Sequence, residues 1–117
     1  MAGILSRKTF DLAGGGDPAR LQANTFGVEQ LGIGLENTGA AALNSVVVSA
    51  RVSDAGAWEQ LSTVSGAPLV AWVKGSLPAL PAGQSAVIAL NVGYFAEVKV
   101  EANSASATSV ALSFCGI

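Results

Sequence analysis

Apolar and polar residues alternate with a period of two along most of this chain. The clearest run is at residues 31–35, where Leu31, Ile33 and Leu35 alternate with two glycines. Because successive side chains of a β-strand point to opposite faces, this spacing predicts a strand with one apolar face. A chain dominated by such strands must bury one face of each, which favours one sheet packed on another.

Other segments repeat the pattern. Every second position is apolar in residues 46–52, 86–92 and 96–100, and in residues 108–114 after the initial Thr108. Shorter strands are predicted at residues 5–12, 57–63 and 69–74. No segment of helical length carries apolar residues at the i, i+3, i+4, i+7 spacing of an amphipathic helix. The sequence therefore predicts an all-β, antiparallel, two-sheet sandwich of about seven or eight strands.

The first 24 residues differ from the rest. Residues 13–16 read Ala-Gly-Gly-Gly, which has little side-chain bulk to hold a conformation. Asp17 and Pro18 follow, as an N-cap and a first helical residue would, and predict a helical turn over residues 17–23. We therefore expect residues 1–24 to form an N-terminal arm, or a first strand with a flexible glycine-rich segment, and residues 25–117 to form the sandwich.

The composition excludes most catalytic chemistry. The 117 residues include no histidine and one cysteine, Cys115. Without histidine there is no Ser-His-Asp or Cys-His nucleophile activation, and the commonest metal ligand is missing. A single cysteine forms neither a thiolate zinc site nor an intrachain disulfide. We predict no catalytic residue, no cofactor site and no metal site, and hence a protein that is not an enzyme.

The charges are few and scattered. Six basic and eight acidic residues give a net charge of −2, and only 12% of the chain is charged. No basic stripe is present to neutralise phosphates, so we predict no binding to nucleic acid. The longest uncharged stretch, residues 75–96, is interrupted by Pro78, Pro81 and Gly83, and residues 1–10 lack the apolar core of a secretion signal. We therefore predict no membrane span, and the low charge favours a surface covered by neighbouring molecules.

Aromatic and large apolar residues are the candidates for contact with a partner. The alternation places Trp58, Trp72 and Phe95 on the less apolar sides of their strands. Core and interface positions both stay open for these rings, because a register error of one residue inverts every face. A buried ring removes about 150–250 Å² from water, enough to anchor an interface. The predicted contact residues are Phe10, Leu12, Leu21, Trp58, Trp72, Tyr94 and Phe95.

Glycines mark one further surface. Gly32 and Gly34 alternate with the apolar residues of their strand and leave its other face nearly bare. Glycine in a strand permits close approach by another chain. Simple tolerance of a flat surface of small residues is an equally good interpretation.

Two short motifs carry a family resemblance. Residues 34–39 read GLENTG and residues 42–46 read ALNSV, an Asn-x-Gly turn that leads into an apolar strand. Residues 80–87 read LPAGQSAV, with a Leu-Pro-x-Gly-Gln-Ser start to a strand. Both resemble bacterial immunoglobulin-like domains of the cell-adhesion-related (CARDB-like) type. The resemblance implies an immunoglobulin-like arrangement of the sandwich.

A chain of this size is also similar to the small immunoglobulin-like proteins that decorate bacteriophage capsids or build other virion parts. That resemblance implies a non-enzymatic virion structural protein, above all a capsid decoration or cement protein, made in the host cytoplasm and bound to the major capsid or another virion protein. A homo-oligomer, including a trimer, stays open. The alternative is an immunoglobulin-like binding or adhesion module, with carbohydrate stacked on Trp58, Trp72 and Tyr94.

Overall fold

The computed structural model describes residues 3–53, 55–61, 70–74, 80–93 and 95–117 of the chain. Within these ranges the chain forms nine strands and no helix. The strands are β1 (Gly3–Leu12), β2 (Ala19–Asn24), β3 (Gln30–Asn37), β4 (Ser45–Arg51), β5 (Glu59–Leu61), β6 (Val70–Lys74), β7 (Ser85–Asn91), β8 (Glu97–Asn103) and β9 (Thr108–Gly116).

The strands form two sheets. The first sheet has the order β1-β9-β3-β7-β6, and the second has the order β2-β8-β4-β5. Every pair of neighbouring strands is antiparallel. The predicted all-β, antiparallel, two-sheet sandwich is therefore confirmed.

The strand order is that of a jelly roll. β1 pairs with β9, β2 with β8, and β3 with β7, so the chain follows one long hairpin that is rolled across both sheets. In an immunoglobulin domain the first strand instead lies in a sheet of order A-B-E-D that faces strands C, F and G. The CARDB-like arrangement expected from the turn motifs is thus not the one found, because a turn motif does not determine which distant strands pair.

The core lies between the sheets, where the alternation placed it. Phe114, Ile33, Leu35 and Ile88 are among its largest fully buried side chains. The apolar positions predicted to face inward in residues 31–35, 86–92 and 108–114 are all buried. Val52 is an exception, because β4 ends at Arg51 and the next side chain is exposed.

The first 24 residues belong to the sandwich. β1 runs along β9 from Gly3 to Leu12, and β2 runs along β8. No helical turn forms after Pro18, since Ala19 and Leu21 point into the core while Arg20 and Gln22 point to solvent. The alternation of β2 overrides the local helix signal, and the expected arm is a pair of strands, one in each sheet. Leu12 and Leu21 are core residues and not surface contacts, which corrects the prediction made for them.

The two turn motifs meet at one end of the sandwich. The backbone N–H of Asn37 donates to the backbone carbonyl of Gln84, and the N–H of Gly83 donates to the backbone carbonyl of Asn37. The Asn37 side chain donates to the carbonyls of Ala41 and Leu80, at 2.8 and 3.1 Å. The motifs therefore encode a hydrogen-bonded corner, which explains their residues without an immunoglobulin topology.

Candidate interaction surface

The large hydrophobic side chains exposed among the described residues gather at one end of the sandwich. Phe26 is 87% exposed, Val52 75% and Ile117 51%. Exposed apolar residues scattered singly are ordinary, whereas several at one end mark a candidate binding surface.

Hydrogen bonds between loops bring Phe26 and Val52 to the same end. The N–H of Thr25 donates to the carbonyl of Ala96 at 2.8 Å, and the N–H of Ala96 donates to the carbonyl of Arg51 at 2.9 Å. Phe26 follows Thr25 in the chain, and Val52 follows Arg51. The backbones of Thr25 and Arg51 are thus two strand spacings apart, or roughly 10 Å.

The loop 25–29 then crosses from the second sheet to the first. Gly27 has a φ of 82°, a left-handed conformation suited to glycine, and the N–H of Phe26 donates to the Asn24 side chain at 2.8 Å. On the far side the N–H of Glu29 donates to the carbonyl of Ile117 at 2.8 Å. The C-terminal residue therefore reaches the same end of the molecule. We call this surface the apolar end, and its members are Phe26, Val28, Val52, Phe95 and Ile117.

Carboxylates lie beside the apolar end. Glu29 precedes β3 and Glu59 begins β5, and both are exposed. Among the described residues no basic side chain lies within ion-pair distance of either one. The apolar end is consequently bordered by negative charge.

Trp58 lies on the outer face of the second sheet. The guanidinium carbon of Arg51 is 4.6 Å from the centre of a Trp58 ring, and the ammonium of Lys99 is 4.5 Å from it. Both distances suit cation–π attraction. The half-buried ring thus packs on two cations of its own sheet.

The same face carries a ladder of ion pairs. Glu97 accepts hydrogen bonds from Arg51 and from the Gln22 amide, the latter at 2.7 Å. Glu101 accepts from Arg20 at 2.9 Å and lies 3.6 Å from the Lys99 ammonium. These carboxylates are acceptors for neighbouring strands and are not free for acid–base chemistry.

The ladder changes the acidity of both carboxyl groups. The hydrogen bond from Arg51 is the main cause that holds the pKa of Glu97 below its ordinary value, and the Gln22 bond acts in the same direction. For Glu101, burial raises the pKa, but the hydrogen bond and charge of Arg20, together with Lys99, outweigh it, so the pKa is lowered. Both groups are more acidic than free glutamate.

Small residues line part of the outer face of the first sheet, where β3 pairs with β9. Gly32 and Gly34 lie beside Cys115 and Ser113 in the register of β3 and β9. A Cβ atom at Gly34 would lie 2.6 Å from the Ser113 hydroxyl, which would have to rotate away to make room for it. Glycine at position 34 therefore leaves room for the Ser113 hydroxyl in its present rotamer.

Apart from the core residues Leu12 and Leu21, the predicted contact residues fall into three groups. Phe10 and Phe95 are half-buried and pack against the core, and the Lys8 ammonium is 5.2 Å from the Phe10 ring. Trp58 is half-buried on the second sheet. Trp72 pairs with Ile88 in the register of β6 and β7, but its side chain and the whole of Tyr94 lie outside the described residues.

Phe95 does not continue the alternation of β8. Its N–H donates to the carbonyl of Val92 at 2.9 Å, which closes a turn before the strand begins at Glu97. The ring therefore leaves the face of Glu97 and packs on the core, contrary to its predicted side.

Sequence reasoning missed four members of the apolar end: Phe26, Val28, Val52 and Ile117. The Asn24-Thr25-Phe26-Gly27 turn is a local signal for an exposed loop tip. No comparable signal exists for Val52, since the alternation of its strand continues through it. Its exposure depends on where the pairing of β4 with β8 ends.

The described residues contain no group of three or more Cys, Asp and Glu side chains placed to hold a metal ion. In the same part of the chain, no helix is long and apolar enough to cross a membrane.

Two solved structures share the fold. The crystal structure of the SPBc2 prophage-derived protein YomS matches with a TM-score of 0.54 and 10% identity, over 97% of this chain and 95% of that one. The crystal structure of the Yersinia pseudotuberculosis-derived mitogen (YPM) matches with a TM-score of 0.56 and 14% identity, over 97% of this chain and 86% of that one. No protein-family model and no curated protein sequence matches. At these identities the likeness concerns the fold alone.

Proposed function

We propose that this chain is a non-enzymatic structural protein of a virion, a capsid decoration or cement protein that attaches to its lattice through the apolar end. The observation that carries the proposal is the gathering of Phe26, Val52 and Ile117, all exposed, at one end of a weakly charged sandwich. The partner is the major capsid protein or another virion protein, and the site of action is the virion.

The apolar end offers enough surface for attachment. Burial of a Phe, Val or Ile side chain that was exposed contributes about 1.5–3 kcal/mol. Three such side chains on each copy, repeated over a lattice, favour the assembled state by mass action. A bound layer of this kind opposes expansion or loss of the subunits beneath it.

The fold is compatible with this role. Jelly rolls occur in viral capsid domains and in lectins, and one protein with this fold derives from a prophage. Fold does not determine function, so the argument depends on the surface. The proposal requires no chemical step, and the lack of histidine in the sequence fits that.

A carbohydrate-directed module is less favoured. Sugar stacking needs an open aromatic face, and the Trp58 ring lies against Arg51 and Lys99 of its own sheet. The other two residues predicted to stack on carbohydrate, Trp72 and Tyr94, have side chains outside the described part of the chain.

The test uses particles from a culture that produces the chain. We expect the chain to band with capsids in an equilibrium density gradient. We also expect purified chain to rebind particles from a strain in which its gene is deleted, and to delay their disruption by heat. The triple variant Phe26→Ser, Val52→Ser, Ile117→Ser should bind at least about tenfold more weakly.

A matched control changes exposed apolar residues at the opposite end. Ala82, Ala105 and Ala107 are exposed there, and their replacement by serine should leave binding unchanged. A chain that neither bands with particles nor rebinds them would overturn the proposal. Equal binding of the two triple variants would remove the apolar end from it.

A further inference from the structure

We infer that β1 is a self-pairing edge, through which two copies of this chain join their first sheets into one continuous antiparallel sheet centred on Thr9. This inference is independent of the proposed function and of the apolar end. It comes from the position of β1 in the fold and from the order of charges along it.

β1 lies at the edge of the first sheet. β9 covers one side of it from Gly3 to Leu12, and among the described residues no strand covers the other. An edge strand of this length presents a row of backbone donors and acceptors that another strand can use.

The faces of β1 follow from its register with β9. Arg7, Thr9 and Asp11 pair with Ser113, Ala111 and Ser109 on the outer face, and all three are exposed. Lys8 and Phe10 pair with the core residues Leu112 and Val110. The two faces of the strand therefore alternate without a break from Arg7 to Asp11, with the Lys8 side chain exposed at the sheet edge and the Phe10 ring half-buried.

A twofold axis through Thr9 makes these residues complementary to themselves. Arg7 of one copy is then opposite Asp11 of the other, twice in the pair, and Thr9 is opposite Thr9. Lys8 is opposite Phe10, the same types of side chain that already contact each other within one chain, at 5.2 Å. Opposite residues in an antiparallel pair have Cβ atoms about 4.5–5.5 Å apart, which allows each of these contacts.

Neighbouring registers are worse. A twofold axis at Phe10 places Asp11 opposite Thr9 and Arg7 beyond the end of β1, so neither charge has an opposite charge across the pair. An axis at Lys8 sets two ammonium groups opposite each other, and axes at Arg7 and Asp11 do the same with two guanidinium groups and two carboxylates. Like charges directly opposite one another destabilise a strand pair. An inward-facing charge on an edge strand usually blocks pairing, but with the axis at Thr9 the position opposite Lys8 is an aromatic ring.

Both charged residues are available for the second copy. Arg7 has a loose partner in its own chain, Glu36 at 3.7 Å, with both side chains more than half exposed. Asp11 accepts one hydrogen bond, from the Ser109 hydroxyl at 2.7 Å through Oδ1. The self-complementary order of charges identifies the occupant as a second copy, because an isologous interface presents one patch to itself.

Light scattering coupled to size-exclusion chromatography tests the pairing by charge exchange. The wild type should elute with twice the mass of one chain at micromolar concentration. Arg7→Asp or Asp11→Arg alone places like charges opposite each other and should give the mass of one chain. The double variant Arg7→Asp, Asp11→Arg restores opposite charges and should regain the double mass, which also shows that the variants fold.

Two controls separate the register from general charge effects. Asp17→Arg makes the same charge change as Asp11→Arg in an exposed loop, and Glu36→Gln removes the intrachain partner of Arg7; both should keep the double mass. In a Cys115→Ser background, Thr9→Cys should form a disulfide-linked dimer faster than Lys8→Cys, because only position 9 faces its own copy. The inference would be overturned if the wild type had the mass of one chain, or if the double variant had the mass of one chain. Equal rates of crosslinking at positions 8 and 9 would also overturn it.

Discussion

The hydroxyl of Thr108 donates a 2.9 Å hydrogen bond to the side-chain carbonyl of Asn37, and both residues are almost completely buried. The Asn37 amide donates its two N–H groups to the carbonyls of Ala41 and Leu80. Each polar atom of this side chain therefore has a partner away from water. The contact joins β9 to the corner where β3 ends and the segment before β7 passes.

Replacement of Thr108 by valine should destabilise the fold by about 0.5–1.5 kcal/mol, because the buried carbonyl of Asn37 then keeps only the longer bond from the N–H of Gly39, at 3.3 Å. Urea denaturation followed by circular dichroism measures the change. Thr38→Val is the matched control, since that hydroxyl is exposed and its bond to Ser109 is long, at 3.4 Å. Equal losses in the two variants would contradict the role given to the buried bond.

Gly39 should not tolerate alanine. An added Cβ would lie 2.7 Å from the Cα of Thr108 and would also clash with its hydroxyl and with the N–H of Ser109. Because these are parts of the β9 backbone and its buried hydroxyl, we expect a loss of about 2 kcal/mol or more. Gly16→Ala is the control, since nothing lies within 4 Å of its added Cβ. The midpoints of thermal unfolding compare the two, and an unchanged midpoint for Gly39→Ala would contradict the expected clash.

The stability should fall in mild acid. The pKa values of Glu97 and Glu101 are lower in the folded chain than their ordinary value of 4.5. The unfolded chain then binds protons more tightly, so these groups stabilise the fold above about pH 4.5 and lose that contribution as the pH falls through their folded pKa values. The free energy of unfolding of Glu97→Gln should depend less on pH in that range than the wild-type value does.

Glu29→Gln provides the comparison for the acid prediction. Glu29 is exposed and has no ion pair among the described residues. Its variant should retain the wild-type dependence of unfolding free energy on pH. If Glu97→Gln retained it as well, the ladder would not be the source of the acid sensitivity.

Most of the strands could be predicted from the sequence, because each is specified by a pattern of apolar and polar residues within its own segment. In β3 and β9 the buried residues, such as Ile33 and Phe114, are those that the alternation places on one face. Ala111 is the exception in β9: it lies on the other face and is buried between its neighbours on β1 and β3. At residues 17–23 the Asp-Pro signal indicated a helix, yet pairing of β2 with β8 selects the strand. The signal for the strand was present in the alternation of Ala19, Leu21 and Ala23 with polar residues.

The apolar end could not be read in the same way. It forms because Ala96 bridges the backbones of Thr25 and Arg51, and because Ile117 pairs beside Gln30. These are contacts between segments that are far apart in sequence, and no local pattern specifies them. The jelly-roll order escaped prediction for the same reason, since the turn at Asn37 fits many topologies.

Trp58 and Lys99 should be energetically coupled. Their cation–π contact at 4.5 Å predicts a coupling of about 0.5–1 kcal/mol in a double-mutant cycle built from Trp58→Leu and Lys99→Met. The free energies of unfolding of the wild type, both single variants and the double variant supply the cycle. A second cycle that pairs Trp58→Leu with Asp17→Asn should give no coupling, because Asp17 is at the opposite end of the sandwich. Coupling of the same size in both cycles would contradict the contact.

The last prediction separates folding from binding at the apolar end. Phe26 is 87% exposed, so Phe26→Ser should change the free energy of unfolding by no more than about 0.5 kcal/mol. Phe114 is fully buried, and Phe114→Ala should cost about 3–5 kcal/mol. Urea denaturation of both variants measures the contrast. A small effect of Phe26→Ser on unfolding, together with weaker binding to particles, would assign the Phe26 ring to the binding surface. A large destabilisation by Phe26→Ser would instead assign that ring to the core.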